Sequence, residues 1–205
     1  MTASPADAPR TRGRYPKGIA RRQEILDKTI EVFAQRGSQK TSLRAIAQEV
    51  GVTHAALTHY FGSLEELLVE VYRESERKPS IEKHAPPADS SPAAAMQLAA
   101  EENRAIPGLV QLYSTLVAMA LEDNHPAAQQ FATDRFARLR NDMGEQVRGL
   151  QASGHVRADL DPTLVAALVI AASDGLQTQW LLDATVDHEA ALEMLDRLLR
   201  GGPAA

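Results

Sequence analysis

Between Thr41 and Leu68 the chain reads TSLRAIAQEVGVTHAALTHYFGSLEELL, and Gly51-Val52-Thr53 in its middle constrains the fold more than any other feature. These three residues separate two short amphipathic segments, SLRAIAQEV and HAALTHYF. They are too few for a flexible linker and suit a tight corner between helices. The spacing predicts a helix-turn-helix over 42–61. Gly51 sits where the chain must turn sharply, and a positive φ costs a residue without Cβ nothing. Ile46, Val50, Val52, Leu57 and Tyr60 then fall on the side such a motif buries, and Ala47 leaves room for the second helix to cross closely. The opposite face of that helix carries His54, Ala55, Thr58 and His59, small and hydrogen-bonding side chains of a kind that fits a DNA major groove. An Ala-rich helical hairpin with a glycine corner also occurs in bundles that touch no nucleic acid, so the spacing alone leaves both readings open.

Elsewhere the signals are helical. Apolar runs with period two are missing and only 4% of the residues are aromatic, so the chain reads as all-α. At 44% hydrophobic over 205 residues it can bury a proper core. The first helix is predicted from about 18 to 36, with Ile25, Leu26, Ile30 and Phe33 on one face and Gly37 closing it. Ser42, Thr53 and Ser63 are placed to cap the second, third and fourth helices, the last through a Ser63-x-x-Glu66 capping box. Pro and Ser in KPSIEKHAPPADSSP, residues 78–92, predict a connection between a head, 19–79, and a body, 92–200. The body is predicted to hold helices at about 93–104, 107–122, 126–152, 162–183 and 187–200, making about nine in all.

The net charge of −5 conceals an asymmetry. Through Gly62, ten Lys and Arg oppose five acids and give +5; the remainder carries twelve against twenty-two and gives −10. A basic head on an acidic body suits a protein that holds a polyanion at one end. Residues 1–16 place Arg10, Arg12 and Arg14 among three prolines and cannot form a core. With Lys17 they read as a disordered basic arm able to reach a minor groove.

Gly51-Val52-Thr53, Leu57-Thr58-His59-Tyr60-Phe61 and Gly62-Ser63-Leu64-Glu65-Glu66-Leu67 together resemble the signature of the TetR family of bacterial transcriptional regulators. RRQEILDKTIEVFAQRG is similar to that family's first helix and TSLRAIA to its second, while EDNHPAAQQF, GHVRADLDP and SDGLQTQWLLD are similar to the C-terminal part of one branch. Two positions depart from the pattern: Thr58 stands where the family has a tyrosine that often meets phosphate, and Leu64 where it has a lysine. The resemblance implies a homodimeric repressor of a palindromic double-stranded operator, released when an unknown small-molecule effector enters the body, moves the fourth helix and spreads the heads. Arg44 and the third helix, with His54, Ala55 and Thr58, are then expected to meet bases, while Thr41, Thr53, His59 and Tyr60 position the DNA backbone. The alternative is a helical small-molecule sensor or interaction module without DNA binding, for which Thr58 and Leu64 are the hints.

Leu164 to Ala172, LVAALVIAA, is apolar all round and must bury two faces, which a surface helix on a monomer cannot do. Its length and the Ser173, Asp174, Gln177 and Gln179 that follow argue against a membrane span. Ala167, Ala171 and Gly175 form a small-residue stripe that lets another helix approach, and the resemblance implies dimerisation there and through the last helix, with Leu195 and Leu198. Tyr72, Met96, Tyr113, Met119, Phe131 and Trp180 are ordinary core residues by type, and only the resemblance makes them candidates for an effector pocket. His125 beside Glu122 and Asp123 suits capping and solvation better than a metal, and neither metal nor cofactor is expected. No cysteine, nucleophile elbow, phosphate loop or His-Glu-x-x-His occurs, so nothing argues for an enzyme. The N-terminus has no signal-peptide pattern, and a cytoplasmic, nucleoid-associated protein is expected.

Overall fold

The structure, a computed structural model, describes residues 15–36, 41–77, 90–104 and 106–200. Among them are nine α-helices and no strand: α1 (Tyr15–Arg36), α2 (Leu43–Val50), α3 (His54–Phe61), α4 (Leu64–Arg77), α5 (Pro92–Arg104), α6 (Pro107–Met119), α7 (Pro126–Ala152), α8 (Pro162–Leu182) and α9 (His188–Arg200). The basic arm, apart from the two residues that open α1, and positions 78–89 of the expected connection lie outside the described residues.

Local chemistry sets most boundaries. Ser42 Oγ accepts from Ala45 N and Thr53 Oγ1 from Ala56 N, both at 3.1 Å. Ser63 and Glu66 close a reciprocal box, Glu66 N to Ser63 Oγ at 3.1 Å and Ser63 N to Glu66 Oε2 at 3.0 Å. Each such cap is worth about 1 kcal/mol. Gly51 ends α2 in the left-handed region, φ 71°, and lets Val52 N return to Ala47 O at 2.9 Å. Ser91, within the stretch expected to be loop, is buried and caps α5 by accepting from Ala94 N. α6 stops three residues before its predicted end, in a turn through Asn124, whose φ is 71°.

The head is α1 to α4, and its core continues into the body. Ile25, Leu26 and Phe33 of α1, Ile46 of α2, Leu57 of α3 and Leu67 of α4 are nearly or fully buried in one cluster with Leu112 and Leu116 of α6 and Phe131 of α7. Burying a Leu, Ile or Phe completely stabilises by roughly 1.5–3 kcal/mol, so this cluster fixes the head on α6 and α7. A second cluster joins α5, the far half of α7, α8 and α9 around Met143, Val147, Val169 and Leu199.

α8 buries one face only. Val165, Ala166, Val169, Ile170 and Ser173 point into the body, whereas Leu164 and Leu168 are 63% and 65% exposed. Its 21 residues are also long and apolar enough to cross a bilayer, so length does not argue against a span as expected. What ties it into the fold is the buried face and Asp174, which accepts a hydrogen bond from Tyr113 of α6.

Candidate nucleic-acid interface and effector cavity

The helix-turn-helix is held from behind by α1. Arg21 donates to the carbonyls of Val50 and Gly51 at 3.2 and 3.1 Å, satisfying the end of α2 at the corner, and pairs with Glu24. Arg22 lies 5.1 Å from the Phe61 ring centroid and pairs with Glu70 of α4. Burial opposes ionisation of Glu70, yet hydrogen bonds from Arg22 and Arg73 hold its carboxyl below the usual range. Part of the positive charge of the head, read as a polyanion footprint, therefore serves to lock α1, α2 and α4 together.

α3 presents His54, Ala55, Thr58 and His59 to solvent, with Arg44 of α2 and the cap Thr53 exposed beside them. Thr53 accepts the cap hydrogen bond and keeps its hydroxyl proton for an external acceptor. Thr58 instead donates to His54 O at 3.1 Å. Two expectations need correction. Tyr60 is 40% exposed and does not belong to the buried side, where Phe61 takes its place; that leaves Tyr60 beside His59, ring centroids 6.0 Å apart, on the outward edge. Thr41 is only 6% exposed, so its side chain offers almost no surface to a DNA backbone. Leu64, where a lysine was expected, packs against the head core.

A cavity of about 160 Å³ opens between α4, α5, α6, α7 and α8. An apolar cavity of roughly 150 Å³ holds a benzene-sized molecule. Of the candidate pocket residues Tyr72, Met96 and Tyr113 line it. Met119 and Phe131 belong to the head core, and Trp180 packs on His188 with ring centroids 5.6 Å apart. The charged members were not foreseen: Glu76 of α4, Glu102 of α5, Arg135 of α7 and Asp174 of α8. Tyr72 and Tyr113 stack at 5.0 Å, and the Arg135 guanidinium sits 5.3 and 4.9 Å from their centroids. Arg135 also pairs with Glu76 at 3.0 Å and donates to Tyr72 Oη at 3.1 Å. Tyr113 Oη donates to Asp174 at 2.9 Å. Burial pushes both tyrosine hydroxyls up and keeps them neutral. Burial also raises Asp174, against the pull of Tyr113 and Arg135. Burial works against the charge of Arg135, yet its pKa stays above the ordinary value, with the Glu76 and Asp174 carboxylates favouring the charged form.

Of the residues expected to meet a second copy on the last two helices, three are exposed and two are not. Ala171, Gly175 and Leu198 are exposed, with Leu198 at 62%, whereas Ala167 and Leu195 are half-buried and Leu195 packs on the second core. Leu164, Leu168, Leu182 and Met194 extend the apolar surface and were missed, though Leu164 and Leu168 stood in the apolar run. No group of three or more potential metal ligands occurs among the described residues. His125 lies 3.7 Å from Glu65 and 3.9 Å from Glu122.

Two family profiles match the chain. One, described as bacterial regulatory proteins, tetR family, covers residues 25–71; the other, described as BetI-type transcriptional repressor, C-terminal, covers residues 93–202. The HTH-type transcriptional repressor KstR2 of Rhodococcus jostii (strain RHA1) is 38% identical over 73 residues, which are 36% of this chain and 33% of that protein. Among solved structures, a transcriptional regulator from Saccharomonospora viridis in complex with choline superposes with a TM-score of 0.69 at 20% identity, covering 87% of this chain and 94% of that one. FadR from Bacillus subtilis in complex with stearoyl-CoA superposes with a TM-score of 0.66 at 20% identity, covering 89% and 99%. At that identity the two structures show a shared fold.

Proposed function

The chain belongs to the TetR family of DNA-binding bacterial regulators, and on that premise we propose that it is a ligand-responsive repressor that binds a palindromic operator as a homodimer. The head, 19–79, would carry DNA and the body, 92–200, the effector and the dimer seam. The observation that carries this reading is the exposed α3 face of His54, Ala55, Thr58 and His59 beside Arg44, on a head whose core runs on into the cavity-bearing body. An effector that shifts the affinity for DNA ~100-fold needs a differential of only about 2.7 kcal/mol between the two states.

The effector class we propose is a small organic cation. Three carboxylates, Glu76, Glu102 and Asp174, and two tyrosine faces line the cavity against one cation, Arg135. Aromatic faces with nearby carboxylates attract quaternary ammonium groups. Of the two ligands held by the structural neighbours, choline suits this volume and charge better than stearoyl-CoA.

A footprint on the DNA upstream of the protein's own gene, taken at two salt concentrations with and without choline, tests the proposal. A protected, near-palindromic site whose affinity falls with salt and with choline is expected. Salt-dependent binding without a discrete site would refute operator recognition; no binding at either salt would favour the sensor reading, to which the committed Thr58 hydroxyl and the inward Leu64 lend weight.

A further inference from the structure

Resting on the reading that the cavity takes an effector, we propose that Arg135 is the cavity's built-in cation and the latch on the far end of α4, which an entering organic cation must displace. α4 is tied to α7 at two levels. Near its start, Glu65 Oε1 accepts from Ala128 N at 2.6 Å, capping α7, whose own N-cap residue His125 makes no side-chain cap. Two turns on, Tyr72 and Glu76 hold Arg135 at 3.1 and 3.0 Å, and Glu76 also meets the exposed Arg138 of α7 at 3.2 Å. Glu65 with Ala128 and Tyr72 with Arg135 share one offset of 63 residues, so the two helices run parallel and in register between these ties.

Only the second tie is in the cavity wall, since Tyr72, Glu76 and Arg135 line the cavity and Glu65 does not. Arg135 covers both tyrosine rings, the surface that an organic cation would seek. Its Nε is buried with no hydrogen-bond partner, so the arginine fills this place imperfectly. A competing cation takes the ring faces and the carboxylates, and Arg135 loses Glu76 and Tyr72 together. The far half of α4 is then left on the exposed Glu76–Arg138 pair, a weak tie, and it loosens while the Glu65 cap remains as its pivot. Leu67, Leu68 and Val71 of α4 sit in the core of the head, so a swing of α4 about that point is carried to α3. An anionic effector would do the opposite, recruiting Arg135 as its anchor.

Hydrogen exchange on the full-length protein tests this without DNA, so its outcome stays separate from that of operator binding. With choline chloride at saturation, against sodium chloride of equal ionic strength, amide exchange over 70–77 should quicken at least fivefold while 64–69 changes less than twofold. Arg135→Met should show the fast pattern without choline and bind choline at least threefold more tightly, because the competitor is gone. Arg135→Lys, which keeps the charge but cannot span both rings and Glu76, should shift both readouts in the same direction by less, and it serves alone where the Met variant does not fold. Exchange over 70–77 that ignores both choline and the substitutions would overturn the latch. Weaker choline binding by the variants, or sodium propionate binding that requires Arg135 while choline does not bind, would overturn the displacement.

Discussion

Thr53 and Thr58 carry the same side chain at the N-cap and in the middle of α3 and present different atoms to a ligand. Thr53 accepts the cap hydrogen bond and keeps its hydroxyl free to donate, whereas Thr58 already donates its hydroxyl hydrogen bond to His54 O. With Tyr replaced by Thr58 and Lys by an inward Leu64, recognition should rest more heavily on Arg44 and His54, both exposed. Arg44→Ala and His54→Ala are each expected to weaken operator binding by about 1–3 kcal/mol, as removal of a base contact does; titrations in which both leave affinity unchanged would remove the helix-turn-helix from the interface. Gly62 matters to the fold instead. Its φ is 78°, and a Cβ there would stand 2.0 Å from the Glu66 carboxylate that closes the capping box. Gly62→Ala should therefore combine backbone strain with a broken cap and lower stability by about 1–3 kcal/mol, read as a drop in melting temperature. The choice between the adjacent Tyr60 and Phe61 for the buried side was not legible from periodicity. Neighbouring residues on a helix differ by about 100°, and it is Arg22 from α1, over the Phe61 ring, that lies on the inward side.

At the level of elements, most of what depends on neighbours in sequence could be read, the Ser91 cap on α5 being an exception. The Ser42, Thr53 and Ser63 caps, the Gly51 corner and the approximate places of the nine helices follow from local signals, whereas the start of α1 and the end of α6 each fall three residues from where those signals put them. The cap on α7 could not, because its acceptor is Glu65, 63 positions away. The cavity was half legible for a related reason. Tyr72, Met96 and Tyr113 are core-type residues, but Glu76, Arg135 and Asp174 look in sequence like solvated charge, and only the packing of α4, α7 and α8 brings them inside. Asp174 gives the clearest consequence. Burial raises its pKa in the folded chain above the unfolded value, so the folded state holds the proton to higher pH. Stability contributed at this site is therefore greatest below the usual carboxylate range and falls as the pH rises toward the raised folded pKa. Asp174→Asn, which keeps an oxygen to accept from Tyr113, should raise the melting temperature at pH 7 and lose that advantage near pH 3. An equal gain at both pH values would show that the carboxylate is not held at a cost. A neutral-pH gain paired with weaker choline binding would mark Asp174 as a residue kept for the ligand.

For the whole molecule, the decisive surface is the one α8 leaves uncovered. Leu164, Leu168, Ala171, Gly175 and Leu182 follow one another at spacings of three, four or seven and lie exposed on one face, with Leu182 at 84%. A Cβ on Gly175 would meet nothing within 4 Å. Met194 and Leu198 of α9, 53% and 62% exposed, add to this apolar surface. Side chains repeating at three and four residues form the ridge that packs against a second helix, and a face that meets its own symmetry copy needs no other partner. Two heads held at one spacing are what a palindrome requires, so DNA binding and dimerisation should fail together. Ala171→Glu separates both from folding, because Ala171 is exposed in the protomer and the new carboxylate disturbs no core within it. In the dimer it would be buried and unpaired, at a cost of roughly 3–5 kcal/mol. The wild-type chain should sediment as a dimer and protect a near-palindromic site; the variant should keep its helical circular dichroism, sediment as a monomer and lose the footprint. A variant that stays dimeric would place the interface elsewhere, and a wild-type monomer that binds the palindrome at full affinity would break the proposed route from cavity to DNA.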